Sequence, residues 1–204
     1  MRLTSIRARV LATGTVVGAA AAIAGLGTFG TFTSSTTATQ SVSAGTVAIG
    51  LGTAGTATNR LTIGASNIVP GDTIQRQVQL TDSGTANLAS IGLTTTASPS
   101  SLLDTDATNG LQMTVQSCSV AWTEAGTAPA YTYTCSGTTT SVLASRAVIG
   151  ANINLPGLNS LTAAGVDHLL VTLTFPSTAP NTMQNQSSTI TYTFLGTQRA
   201  GTNQ

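Results

Sequence analysis

The only two cysteines of the 204-residue chain, Cys118 and Cys135, flank a turn-rich stretch, Glu124-Ala125-Gly126-Thr127-Ala128-Pro129, between two alternating segments. An antiparallel hairpin that sets Trp122 opposite Tyr131 also sets Val120 opposite Tyr133 and Cys118 opposite Cys135. Ser119, Ala121, Thr132 and Thr134 then take the other side. Directly opposed residues have Cα atoms about 4.5–5.5 Å apart, a separation that a disulfide accepts. Outside a reducing cytosol this pair is expected to be a structural disulfide rather than two free thiols. Closing a loop of that size stabilises a fold by about 3 kcal/mol in the chain-entropy account.

The remaining reactive side chains do not form a catalytic pattern. The single histidine, His168, has no second His or Cys at metal-ligand spacing, and no His-Glu-x-x-His helix is present. As the base of a serine nucleophile it would need a Gly-x-Ser-x-Gly elbow, which does not occur; Asp167 is its neighbour in sequence only. A structural histidine at a strand edge is the expectation. Asp104, Asp106 and Asn109 form a small acidic loop with too few ligands for an EF-hand, so a solvated turn is preferred to a Ca²⁺ site there. Asn185-Gln186-Ser187 matches a glycosylation sequon by pattern alone. Leu155-Pro156-Gly157-Leu158-Asn159 lacks the Thr-Gly ending of a wall-sorting signal and comes too early. No catalytic residue, no metal site and no cofactor are assigned.

The N-terminus reads as an address. Arg2, Arg7 and Arg9 precede an uncharged apolar run from Val10 to Leu26, an export signal. Its length also touches the lower limit for a membrane span of about 17–25 residues. Gly14, Gly18, Gly25, Gly27 and a block of alanines make it mildly hydrophobic, which suits a removable signal better than an anchor. Two cut sites are readable, after Ala24 and after Gly30. Only 6% of the residues are charged, and none is lysine. With three of the seven basic residues in the leader, four scattered arginines face six acidic residues in the remainder, which excludes a phosphate-binding surface and hence nucleic acid as partner. A polar surface built from Thr, Ser, Asn and Gln suits strands and gives little electrostatic resistance to self-association.

Beyond the leader the chain reads as short strands separated by Gly, Pro, Asn and Ser. From His168 to Phe175, Leu169, Val171, Leu173 and Phe175 alternate with Leu170, Thr172 and Thr174 before Pro176 closes the run. Ile190, Tyr192 and Phe194 alternate with threonines in the same way. Between the turn signals Pro70-Gly71-Asp72 and Asp82-Ser83-Gly84, the residues Ile74, Val78 and Leu80 share a face that Arg76 interrupts, as an edge or snorkelling residue. Further strands are expected at Gly45–Leu51, Leu61–Val69, Leu88–Thr95 and Arg146–Leu155, about nine in all with the cysteine hairpin. Short loop helices are expected near Ser100–Leu103 and Leu158–Ala164. The fold class is all-β, an antiparallel β-sandwich of jelly-roll type behind a signal peptide.

The order of motifs resembles the TasA and camelysin family of exported proteins. The resemblance rests on Gly27-Thr28-Phe29-Gly30-Thr31-Phe32 at the end of the arginine-flanked signal, then Ser43-Ala44-Gly45-Thr46-Val47, Val69-Pro70-Gly71-Asp72-Thr73 and Asp82-Ser83-Gly84-Thr85. These signatures reach to about Leu93 and continue more loosely to Phe194; the cysteines, the missing lysine and the low charge depart from the family. The resemblance implies cleavage by a dedicated signal peptidase between Gly30 and Thr31. It also implies self-association into biofilm-matrix fibres, in which an N-terminal strand from Thr31 to Val47, with Phe32 and Val42 as apolar plugs, fills a groove in the next subunit. The organisation expected is a signal peptide over 1–30, a flexible segment over 31–44, a sandwich over 45–196 and a tail over 197–204, with membrane contact only through the uncleaved signal. Two other readings are a monomeric surface adhesin and, from the activity described for camelysins, a metalloendopeptidase; one histidine and a single glutamate, Glu124, do not supply a zinc site.

Overall fold

The structure is a computed structural model that describes residues 44–202. The leader, the Gly30–Thr31 bond and the plug residues Phe32 and Val42 lie outside the described residues. Ten strands follow in chain order: β1 (Ile49–Leu51), β2 (Thr73–Asp82), β3 (Leu88–Ala97), β4 (Gln112–Cys118), β5 (Thr123–Thr127), β6 (Ala130–Thr134), β7 (Thr139–Ala147), β8 (Gly150–Asn154), β9 (Val166–Thr174) and β10 (Ile190–Gln198). One short helix, α1 (Leu102–Thr105), and two 3-10 turns, Asn159–Leu161 and Asn181–Met183, complete the described secondary structure. Every strand pair is antiparallel. A five-stranded sheet runs β1-β2-β9-β4-β7, a three-stranded sheet runs β10-β3-β8, and β5 and β6 pair only with each other.

Period-two alternation decides which face of each strand is buried. Val78 and Leu80 of β2, Leu169, Val171 and Leu173 of β9, and Met113 and Val115 of β4 project from the larger sheet into the same apolar core as Ile91 and Leu93 of β3 and Ile153 of β8. Ile190, Tyr192 and Phe194 of β10 pack against that core while remaining partly exposed. The antiparallel all-β expectation holds. The expected strand over Leu61–Val69 does not form; that segment is a loop along β2, because its backbone groups meet side chains and single edge atoms instead of a ladder. The expected strand over Arg146–Leu155 is two strands in different sheets. The corner between them is fixed by Thr95, whose hydroxyl donates to Val148 O at 2.5 Å and accepts the Gly150 N–H at 2.9 Å. Gln112–Cys118 and Thr139–Ala147 are paired strands whose alternation is too broken by Gln, Ser and Thr to be read from sequence. β10 continues to Gln198, two residues into the segment expected as tail.

Leu169 is fully buried in the middle of β9, where truncation leaves a cavity flanked by two fixed strands. Leu169→Ala should lower the unfolding free energy by about 2–5 kcal/mol in urea titration. Leu195→Ala, at a position 60% exposed on β10, should change it by less than about 0.5 kcal/mol.

Candidate functional site

The two cysteines form a disulfide with a Cα–Cα distance of 5.8 Å. The hairpin around it differs from the expected one. Cys118 ends β4, where it pairs with His168 of β9 and Thr139 of β7, and the chain leaves the sheet through Ser119–Trp122 before β5 begins. In the β5–β6 hairpin Tyr131 stands opposite Gly126 and Tyr133 opposite Glu124, so neither Trp122 nor Val120 is its cross-strand partner. The turn closes at Ala128-Pro129 rather than over the whole stretch from Glu124. Alternation keeps Glu124, Tyr131 and Tyr133 on the inner side of the hairpin, since a shift by an even number of residues preserves faces. The disulfide therefore ties the base of the hairpin back to the end of β4.

A second, small apolar cluster lies under the hairpin on the outer face of that sheet. Leu170 alternates with the core residues Leu169 and Val171 and so faces outward. There it is covered by Trp122 and by Cys118, with Tyr133 and Cys135 packed against them. The indole N–H of Trp122 donates to His168 O at 2.9 Å, giving the buried ring its polar partner.

The inner side of the hairpin is clamped by charge. Arg60, in the loop before β2, grips Glu124 bidentately, Nε to Oε2 at 2.9 Å and Nη2 to Oε1 at 2.5 Å. This is the one ion pair among the described residues. The Tyr133 hydroxyl donates to Glu124 Oε2 at 2.9 Å, and the Arg60 guanidinium stacks 4.6 Å from the centre of the Tyr131 ring. Hydrogen bonding from Arg60 lowers Glu124 below its usual carboxylate range against the opposing effect of burial, and Tyr133 adds to the lowering. Burial, then the bond to Glu124, pushes the Tyr133 phenol up to about 12. Arg76 sits beside this clamp, buried, with Nε donating to Ile63 O at 2.7 Å and Nη2 to Gly64 O at 3.0 Å; burial lowers its pKa. The edge position expected for Arg76 is found, but under a loop rather than in solvent.

Arg60 is absent from the residues singled out by sequence. Sixty-four positions separate it from Glu124, and the available signal was scarcity: a lone glutamate among four non-leader arginines has few places to go.

A zinc peptidase centre needs three converging protein ligands. No group of three His, Cys, Asp or Glu among them could hold a metal ion. Both Glu124 oxygens are taken by Arg60, with Tyr133 sharing one, and both cysteines are oxidised. Asp167 is bound by the Asn159 and Ser160 N–H groups and the Ser160 hydroxyl. Asp104 receives the hydroxyls of Ser100 and Ser188 and caps α1. Asp106 receives the N–H groups of Thr108 and Asn109. The acidic loop is thus a hydrogen-bonded turn, and the donor set does not fit a catalytic zinc ion.

The other feature with binding capacity is the outer edge of β10. Among the described residues this strand pairs only with β3, along nine residues that carry no charge and no proline. Natural sheets blunt such edges with lysine, proline or a covering element. Here a bulge between Thr197 and Gln198 is the only interruption, and Leu195 stands exposed on the strand.

Among protein families, the one described as camelysin metallo-endopeptidase matches residues 7–203. No curated protein matches the chain.

The clamp has a pH signature. Glu124 titrates lower in the folded chain than in the unfolded one, so its contribution is complete above the unfolded value of about 4.3 and is lost as pH falls through the folded value. Glu124→Gln should cost about 1–2 kcal/mol at pH 7. The gap between the two proteins, followed by urea midpoints from pH 7 to 3, should narrow steadily once pH falls below the unfolded value of about 4.3; a gap of undiminished size across that range would assign it to packing instead.

Proposed function

The chain belongs to the camelysin family, and on that premise we propose that it is a secreted structural protein, a subunit of extracellular matrix or surface fibres joined by strand donation, and not an enzyme. The observation that carries this reading is the nine-residue edge of β10 that no other described strand pairs with, whose backbone groups invite another strand. The donor is the segment from Thr31 to Val47, freed by signal peptidase cleavage after Gly30, with Phe32 and Val42 as its apolar plugs; its last residues stay with their own subunit, where the Thr46 carbonyl accepts the Thr85 and Ala86 N–H groups at 2.9 and 3.1 Å. Half-buried Ile190, Tyr192 and Phe194 along β10 offer the apolar surface that such plugs would complete.

The nesting of β9 between β2 and β4, opposite the β3–β8 pair, supports a jelly-roll arrangement of the sandwich. The near absence of surface charge supports close lateral packing of copies. Against the peptidase activity in the family's name stands the donor set: one histidine on β9 and carboxylates already engaged within the fold.

The chain from Thr31 to Gln204, oxidised and held at neutral and mildly acidic pH for days, should form regular filaments by size exclusion and negative-stain electron microscopy. Removing Thr31–Gln40, or placing a charge on the edge with Thr193→Lys, should leave a folded monomer. Unimpaired filaments from both variants would refute strand donation at β10, and a persistent monomer of the parent chain would shift the reading to a surface-binding module.

A further inference from the structure

β10 is not the only strand with an unpaired edge, and the edge of β2 beyond the short β1 is closed in an unusual way. β1 covers β2 only from Leu80 to Asp82. Below that point no described strand lies beside β2 on the side away from β9. Its edge is sealed by a loop: the Gly52 N–H donates to Gln79 O at 3.0 Å, the Gln79 N–H to Thr58 O at 2.7 Å, and the Arg60 N–H to Gln77 O at 2.9 Å, with Asn59 bridging Val78. Further along, the Arg76 guanidinium reaches the Ile63 and Gly64 carbonyls and its own neighbour Gln75 O at 2.6 Å. A loop held by so few backbone bonds opens readily unless something else fastens it.

What fastens it is the β5–β6 hairpin. Arg60 belongs to the loop, and its side chain is held by Glu124 and Tyr131 of the hairpin, while the Tyr133 hydroxyl lies beside the Gln77 backbone of the strand being covered. A two-stranded hairpin is itself marginal in water. This one pairs with no third strand and is fixed by the Trp122 plug, the Arg60–Glu124 pair and the Cys118–Cys135 bond at its base.

We propose that the disulfide is the switch that closes the edge of the five-stranded sheet: oxidation of Cys118 and Cys135 fixes the hairpin, the hairpin fixes Arg60, and Arg60 fixes the loop over β2. In the reduced chain the loop is loose and Gln75–Gln79 form a further open edge. The chemistry is thiol–disulfide exchange with an oxidised dithiol partner. One cysteine thiolate attacks the partner disulfide, expelling a thiolate, and the second cysteine displaces the partner from the mixed disulfide; two electrons and, by way of solvent, the two cysteine protons pass to the partner, which leaves as a dithiol. The inference does not depend on fibre formation, since it concerns the folded state of a single chain.

Hydrogen–deuterium exchange by mass spectrometry on the full chain tests it, comparing the oxidised protein, the Cys118→Ser/Cys135→Ser double variant and the disulfide-intact Glu124→Gln variant. Peptides over 52–63 should exchange at least tenfold faster in both variants than in the oxidised protein, with β3 and β8 peptides unchanged. If the double variant exchanges faster everywhere, Glu124→Gln decides: selective acceleration over 52–63 upholds the clamp, and none overturns it. Equal protection of 52–63 in all three proteins overturns it outright.

Discussion

β9 is hydrogen-bonded on both sides along most of its length, to β2 through Thr73–Thr81 and to β4 through Gln112–Cys118. Its two faces carry different loads. Leu169, Val171 and Leu173 anchor the core shared with the smaller sheet, while Leu170 seats Trp122 and the hairpin outside. Because a strand's side chains alternate, shifting β9 by one residue would exchange these faces and dismantle both clusters at once. The central register is therefore the constraint on which the core, the hairpin and the Trp122–His168 bond all depend.

Charge is used sparingly and mostly away from solvent. Asp82, Asp104 and Asp167 are buried, and Glu124 is committed to Arg60. Arg76 is buried beneath the loop along β2. The outward faces that remain are dominated by threonine, as on β10, where Thr191, Thr193 and Thr197 point away from the core. Such a surface is soluble through hydroxyls rather than through mutual repulsion, so nothing electrostatic holds two copies apart. Stability of the exposed hairpin is correspondingly local, resting on one covalent bond, one bidentate pair and one indole.

Strands whose apolar residues alternate without interruption were legible in the sequence: the His168–Phe175 reading differs from β9 by a residue or two, and Ile190, Tyr192 and Phe194 mark β10. The cysteine partnership was legible as well, because both residues keep the parity of the inner hairpin face. The hairpin register was not. Alternation with a period of two is blind to even shifts, and what selects Glu124 opposite Tyr133 is Arg60, a partner reached through the tertiary fold. Strand propensity likewise misled over Leu61–Val69, where the Arg76 guanidinium binds the Ile63 and Gly64 carbonyls and holds a loop in place of a ladder. Corners such as Val148–Ile149 depend on a threonine of a strand distant in sequence, Thr95 of β3, which no local pattern announces.

The placement of the arginines also shapes how the folded chain meets an arginine-directed protease. The chain has no lysine, so in the described part only Arg60, Arg76, Arg146 and Arg199 present cleavable bonds to such an enzyme. Arg60 and Arg76 are locked into the clamp and the loop along β2, and their guanidinium groups are occupied. Arg146 lies within β7, which is paired with β4. Among the described residues that leaves Arg199, just beyond β10, as the site where cleavage of the folded domain would begin, trimming the C-terminal end and leaving the sandwich whole.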